Sequence, residues 1–122
     1  MKFLIVEDEI LIQQSLKKLL EKKGHLVDVT SMGIDAINFI KVNDYDKIIC
    51  DLMLKDITGF DIIEDSKNKY SSLEIAKKFI IITAYSSPQV LEHASKYNCL
   101  LINKPFNNLL ETIEIFIRNL DE

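Results

Sequence analysis

The chain has 122 residues, 48% of them apolar and 28% charged, and a formal net charge of −4. That length predicts one domain over residues 1–122 with a hydrophobic core of its own, and no apolar run approaches the roughly 20 residues of a membrane span. Arg118 is the only arginine, and the acidic balance argues against nucleic-acid binding, which requires a basic face.

Short apolar runs alternate with longer amphipathic segments in the first half of the chain. Lys2–Val6 is typical of a strand buried on both faces, and apolar residues at helical spacing then extend from Ile12 to a helix stop at Gly24. The next strand is predicted over Leu26–Val29. The helix that follows it carries Ile34, Ile37, Phe39 and Ile40.

The second half of the chain predicts three further strands and three further helices. The strands are Lys47–Asp51, Lys78–Thr83 and Cys99–Ile102. The helices are one that includes Phe60, Ile62 and Ile63, one from Pro88 to Tyr97, and one from about Phe106 to Leu120. Strands this short, separated by helices, need crossover connections, so the pattern predicts a doubly wound α/β sandwich with a parallel sheet covered on both faces.

Targeting signals and cysteine spacing both favour the cytoplasm. The segment Met1–Val6 reaches Glu7 at once, so it is too short for the core of a signal peptide. Cys50 and Cys99 lie far apart without a CxxC spacing, and the two histidines do not complete a recognisable zinc site. We therefore expect two buried free thiols in a reducing cytoplasm.

Polar side chains stand at the carboxyl ends of four predicted strands, where doubly wound sheets bind their ligands. They are Glu7 and Asp8 after the first strand, Asp51 at the third, Thr83 at the fourth and Lys104 after the fifth. Any one of them alone is most often a helix cap or a solvated loop residue. Because all of these strand ends line one rim of the sheet, we expect the five side chains to converge.

The charges of this set favour a divalent cation and phosphate chemistry. Three carboxylates and one ammonium carry a net charge of −2, which one Mg²⁺ would neutralise. The set contains no Cys or His, so metals that prefer thiolate or imidazole ligands are not implied. Asp51 can act as the nucleophile of phosphoryl transfer, with Lys104 neutralising the phosphoryl oxygens and Thr83 donating a hydrogen bond to one of them.

This constellation resembles the receiver domain of two-component response regulators, including those of the chemotaxis-regulator type. The matching segments are Glu7-Asp8, Asp51–Gly59, Thr83-Ala84 and Lys104–Phe106, and the resemblance covers essentially the whole chain. It implies a flavodoxin-like (βα)5 three-layer sandwich whose five parallel strands follow the order 2-1-3-4-5. It also implies a cytoplasmic signalling protein that catalyses its own Mg²⁺-dependent phosphorylation and dephosphorylation, rather than an enzyme with a separate substrate.

The resemblance also implies a role for each residue that binds the metal. Asp51 would be the phosphoacceptor. Asp8, Asp51 and the backbone carbonyl of Met53 would bind Mg²⁺ directly, and Glu7 would act on the metal more remotely, through water.

The resemblance gives the two remaining site residues their roles in phosphorylation and switching. Thr83 would move toward the phosphoryl group and Lys104 would pair with it, with Lys104 and Pro105 joined by a cis peptide bond. Tyr85 and Met53 occupy the two positions that tune attack by water, so we hypothesise that they shield the phosphorus and prolong the phosphorylated state.

The partners implied by the resemblance are proteins. The phosphoryl donor would be a histidine kinase or a histidine phosphotransfer protein, and small donors such as acetyl phosphate usually work as well. Phosphorylation would switch binding to a downstream protein target or to an output domain outside these residues. This domain itself would bind neither nucleic acid nor membrane, and the face formed by the fourth helix, fifth strand and fifth helix commonly dimerises or docks a partner.

Three positions depart from the family pattern. Leu101 stands where an inward-turning Tyr or Phe is usual, which leaves Thr83 and the following loop to transmit the signal. Lys55 replaces a frequent proline and adds a charge near the site. Tyr97-Asn98 replaces the usual Gly-Ala before the fifth strand, where Asn tolerates the left-handed conformation of a helix end.

Other interpretations of the sequence stay open. A degenerate receiver would bind partners without phosphorylation, although all five chemical positions are filled. A metal-dependent hydrolase would usually supply an acid/base carboxylate two residues after the nucleophile, where this chain has Met53. The chain is either a stand-alone receiver or part of a longer regulator. On the last helix, Leu110 is predicted to lie on the side that faces the sheet. Ile115 is predicted to lie on the opposite side, and we hypothesise that it contacts a partner.

Overall fold

The structure is a computed structural model that describes residues 1–118. Within that range the chain forms five strands and six helices. The strands are β1 Lys2–Val6, β2 Leu26–Thr30, β3 Lys47–Asp51, β4 Phe79–Thr83 and β5 Leu100–Asn103. The helices are α1 Ile10–Lys22, α2 Gly33–Val42, α3 Gly59–Ser66, α4 Ser72–Lys78, α5 Pro88–Ser95 and α6 Leu109–Ile117.

The five strands form one parallel sheet in the order β2-β1-β3-β4-β5. This confirms the predicted doubly wound fold and its strand order 2-1-3-4-5. Register aligns the carboxyl ends, because Val6 pairs with Cys50, Asp51 with Ile82, and Thr83 with Asn103. The residues that follow these strands therefore lie along one edge of the sheet.

Apolar side chains cover both faces of the sheet and form two separate cores. Every residue of β3 and β4 is buried, as expected for central strands rich in isoleucine. One core contains Leu4, Val6, Ile48, Cys50 and Ile81, and the other contains Phe3, Ile5, Ile49, Ile80 and Ile82. This alternation along each strand fixes the register, since a slip by one residue would exchange the two faces.

Helix α4 was not predicted from the apolar pattern. It has only seven residues, which is too few to display a helical period, but its start carries a capping box. The Ser71 hydroxyl accepts the Glu74 amide, and the Glu74 carboxylate accepts the Ser71 amide. Because this helix continues through Lys78, β4 begins at Phe79, one residue later than predicted.

The last two helices also differ from their predicted bounds. Helix α5 ends at Ser95, and Asn98 then adopts φ 56°, the left-handed conformation that the sequence predicted there. Helix α6 begins at Leu109 because the Asn108 side chain accepts the amide of Glu111 and caps it. The predicted end at Leu120 lies outside the described residues.

The prediction of which α6 residues face the sheet was wrong at Leu110. Leu110, predicted to face the sheet, is 63% exposed, whereas Ile115 is half-buried. Both cysteines are free as expected, and Cys50 is buried as predicted, but Cys99 is only half-buried. None of the helices described is long and apolar enough to span a bilayer.

Candidate functional site at the carboxyl edge of the sheet

The structure brings four of the five predicted polar side chains together at the carboxyl edge of the sheet. Glu7 and Asp8 directly follow β1, Asp51 ends β3, and Lys104 directly follows β5. Because these strands are neighbours or near neighbours in a parallel sheet, their carboxyl ends converge without any long-range bend of the chain. Thr83 lies on the same edge, but its hydroxyl bonds elsewhere.

Glu7, Asp8 and Asp51 form an acidic cluster. Each offers a carboxylate oxygen, and these three atoms lie within 4.8 Å of one another. Glu7 and Asp51 are buried and Asp8 is half-buried. Burial raises the pKa of Glu7 from 4.5 to about 7, and the neighbouring Asp51 carboxylate adds to the rise while Lys104 opposes it. Hard oxygen donors that repel one another at this spacing fit Mg²⁺ well.

The Lys104 ammonium lies among three carboxylates. Its Nζ atom donates to Glu7 Oε1 at 2.7 Å, to Asp51 Oδ2 at 3.1 Å and to Glu9 Oε1 at 3.2 Å. Burial lowers the pKa of Lys104, but the hydrogen bonds to Glu7 and Asp51 outweigh burial and hold the pKa above its ordinary value. The ammonium therefore stays charged and balances part of the acidic cluster.

The backbone of Lys104 is also held in place. Its amide donates to the Thr83 carbonyl at 2.8 Å, which ties the end of β5 to the end of β4. The peptide bond between Lys104 and Pro105 is cis, as the family resemblance implied.

The hydroxyl of Thr83 is occupied within its own loop. It accepts the Tyr85 amide at 3.0 Å and donates to the Tyr85 carbonyl at 3.1 Å, and the Thr83 side chain is buried. These two hydrogen bonds form a local turn that engages both the amide and the carbonyl of Tyr85. The hydroxyl is consequently engaged away from Asp51, and the prediction that it converges with the other four groups is not met in this state.

The loop after β3 is tightly folded around the Asp51 carboxylate. The Met53 amide donates to Asp51 Oδ1 at 3.2 Å, and an isolated antiparallel bridge joins Met53 to Thr58. Gly59, the first residue of α3, is required here because a Cβ atom would lie 2.9 Å from the Asp51 carbonyl oxygen and 3.2 Å from Leu52 Cα. The glycine thus lets α3 begin against the end of β3.

Sequence analysis missed Glu9, which contributes the third acceptor of Lys104. Glu9 stands at the N-cap of α1 without capping it, and its side chain is 60% exposed. The run of three acidic residues at the end of β1 was the only sequence signal for this contact.

Asp56 is the second residue that sequence analysis missed. Its two carboxylate oxygens accept the amides of Gly33 and Ile34, each at 2.9 Å, so Asp56 attaches the loop after β3 to the N-terminus of α2. Burial raises the pKa of Asp56, but these backbone hydrogen bonds outweigh it and hold the pKa below its ordinary value. No local spacing indicates this contact, because the partners lie more than 20 residues away.

An open cleft of about 650 Å³ lies over the cluster. Its lining consists of Asp8, Glu9, Asp51, Met53, Ala84, Tyr85, Val90 and Lys104. Met53 and Tyr85 are exposed at 51% and 66%, so both side chains are free to cover a group bound to Asp51. Leu101 is half-buried and packs against the core, and Lys55 is exposed. The cleft is large enough for a phosphoryl group.

Comparison with known proteins identifies the family. The family model "Response regulator receiver domain" matches residues 3–114. The transcriptional regulatory protein CusR of Escherichia coli is 34% identical over 96 residues, which are 79% of this chain and 39% of that protein. The chain therefore spans about two-fifths of the length of this relative.

Solved receiver structures have the same fold. The non-phosphorylated HemR receiver domain of Leptospira biflexa has a TM-score of 0.82 at 29% identity, covering 93% of this chain and 88% of that one. A CheY-like receiver domain protein of Methanospirillum hungatei has a TM-score of 0.79 at 25% identity, covering 93% and 90%. With the family model matched over nearly the whole chain, this protein belongs to the response regulator receiver domain family.

Proposed function

We propose that this chain is a working phosphoacceptor, with Asp51 as the residue that takes the phosphoryl group. Receiver domains act in two-component signalling and interact with histidine kinases, and the donor proposed here is such a kinase or a histidine phosphotransfer protein. The observation that carries the proposal is the set of contacts around Asp51. Its carboxylate is buried at the end of β3, bonded to Lys104, and close to the carboxylates of Glu7 and Asp8.

Asp8, Asp51 and the Met53 carbonyl are the proposed ligands of Mg²⁺, with Glu7 acting through water. When bound, the cation supplies positive charge that stabilises the phosphoryl oxygens during transfer. The acidic donor set supports this choice of metal, because it contains oxygen ligands only. In this proposal the Lys104 ammonium is a second positive charge that stabilises the same phosphoryl oxygens.

The proposed transfer is a direct displacement at phosphorus. A carboxylate oxygen of Asp51 forms a bond to the phosphorus, the bond between phosphorus and the donor breaks, and the leaving group keeps the bonding electron pair. With acetyl phosphate the leaving group is acetate. Hydrolysis of the resulting acyl phosphate by water returns Asp51 and releases inorganic phosphate, so one residue both accepts and loses the group.

The proposed output is a change in protein binding. Thr83 leaves its hydrogen bonds with Tyr85 and donates to the phosphoryl group, which reshapes the loop before α5. The proposed partner face consists of α5, β5 and α6, which correspond to the fourth helix, fifth strand and fifth helix of the sequence prediction. It would serve dimerisation, a downstream target or an output domain. We further propose that residues 1–122 form one receiver domain that acts in the cytoplasm. This domain itself would bind neither nucleic acid nor membrane.

Intact-mass spectrometry after incubation with acetyl phosphate and Mg²⁺ tests the proposal. We expect one phosphoryl adduct on the wild type, no adduct without Mg²⁺ and no adduct on Asp51→Asn. Asp35→Asn is a matched control, since Asp35 is an exposed residue of α2 and its change removes the same charge. An absent adduct on the wild type, even with a cognate kinase, would instead support a degenerate receiver that binds partners without phosphorylation.

A further inference from the structure

Glu9 occupies a helix N-cap without acting as a cap. Its backbone is extended, with φ −81° and ψ 106°, and its carboxylate makes no hydrogen bond to the first turn of α1. The amides of the first turn lack partners within the helix, and glutamate is not among the residues that commonly cap them, although its charge is favourable near a helix N-terminus. The Glu9 carboxylate instead contacts Lys104 Nζ at 3.2 Å. The Glu9 side chain is therefore hydrogen-bonded to the site and not to the first turn of the helix.

The contact with Glu9 completes the hydrogen bonding of Lys104. An ammonium group has three N–H donors and no acceptor. In this structure the three donors are taken by Glu7, Asp51 and Glu9, and the Lys104 side chain is only 5% exposed. A phosphoryl oxygen on Asp51 must therefore compete with these three carboxylates for the N–H donors of Lys104.

The burial of the three carboxylates indicates which hydrogen bond Lys104 loses most easily. Glu7 is fully buried and has the shortest contact, so water cannot readily replace Lys104 as the partner of its Oε1 atom. Asp51 is the reacting residue itself. Glu9 has the longest contact and a side chain that is 60% exposed, so water can replace the ammonium there at little cost.

We propose that Glu9 is a positioning residue that holds Lys104 before transfer and releases it to the incoming phosphoryl oxygen. This inference rests on the proposed function of Asp51. The exchange moves one N–H donor of Lys104 from Glu9 to the phosphoryl group, and the ammonium keeps all its protons. Glu9 thereby sets the ease of phosphorylation through its competition for Lys104, without touching the reacting atoms.

The rate of phosphorylation by acetyl phosphate at saturating Mg²⁺ tests this role. Glu9→Gln removes the charge that competes for Lys104 and keeps the side-chain shape, so we expect phosphorylation about two- to fivefold faster than in the wild type, the range of exposed ion pairs. Glu21→Gln is the matched control, because Glu21 lies on the same helix and pairs with Lys17 away from the site. We expect its rate to equal that of the wild type.

A second readout follows Lys104 directly in the metal-free protein. The ¹H–¹⁵N signal of the Lys104 ammonium should shift in Glu9→Gln and stay unchanged in Glu21→Gln. If the wild type is phosphorylated, and Glu9→Gln has the same phosphorylation rate and the same Lys104 signal as the wild type, the role of Glu9 is overturned and the proposed function stands. A wild type that takes no phosphoryl group would overturn the proposed function and this role together, so the two failures are distinguishable.

Discussion

Replacing Glu7 by glutamine should stabilise the metal-free protein, and only at pH values where the unfolded wild type has lost its proton. Burial raises the pKa of Glu7 from 4.5 to about 7, so between these values the folded chain keeps a proton that the unfolded chain releases. Because the unfolded state binds fewer protons in that window, wild-type stability falls as the pH rises from 4.5 to about 7. Glutamine is neutral throughout and avoids this loss.

The size of the effect follows from the pKa shift and the contacts of Glu7. One pKa unit corresponds to about 1.4 kcal/mol, so the full shift sets an upper bound of about 3 kcal/mol. The glutamine carbonyl can still accept from Lys104 Nζ, which lies 2.7 Å from Glu7 Oε1, and its amide can face Asp51. We expect a gain of about 1–3 kcal/mol at pH 8 and almost none at pH 4.5, or about 4–12 °C in Tm at pH 8.

Urea denaturation in EDTA at the two pH values measures this gain as a difference in the free energy of unfolding. Glu21→Gln is the control for the loss of one negative charge, because Glu21 is exposed on α1. Added Mg²⁺ should stabilise the wild type more than Glu7→Gln. A gain of the same size at both pH values, or no gain at pH 8, would refute the reasoning.

Three further changes test the surroundings of Asp51. Gly59→Ala places a Cβ atom 2.9 Å from the Asp51 carbonyl oxygen, so we expect a loss of about 1–2 kcal/mol, seen by calorimetry as a Tm lower by about 4–8 °C; an unchanged Tm would contradict the close approach of α3. Asp56→Ala removes the acceptor of two α2 amides and should cost about 1 kcal/mol in urea denaturation, whereas Asp56→Asn should cost less; equal losses would argue against the cap. Tyr85→Ala uncovers the cleft and should shorten the lifetime of the phosphorylated form, followed by loss of the adduct over time; an unchanged lifetime would rule out shielding by Tyr85.

The sheet and the cluster at its edge were predictable because their signals are local. Runs such as Lys47–Asp51 have an apolar centre and end in a carboxylate, so both the strand and the position of its terminal carboxylate can be located from a few neighbouring residues. Parallel pairing then forces the strand ends together, and for that reason the contacts of Lys104 with Glu7 and Asp51 follow from the predicted topology.

The contacts that were not predicted depend on side-chain direction or on distant partners. Glu9 resembles any acidic residue before a helix, and only the structure shows that it turns toward Lys104 instead of the first turn of α1. The hydroxyl of Thr83 forms hydrogen bonds with the nearby Tyr85 backbone and not with the acidic cluster. Helix α4 escaped prediction because seven residues are too few to show a period.

The most direct test of the central claim is to identify the modified residue. Borohydride reduces an aspartyl phosphate to homoserine, so peptide mass spectrometry after phosphorylation and reduction locates the phosphoacceptor. We predict homoserine at position 51, only in samples that contained both acetyl phosphate and Mg²⁺. Homoserine at Asp8 or at another carboxylate, or none in a sample whose intact mass shows the adduct, would contradict the assignment of Asp51.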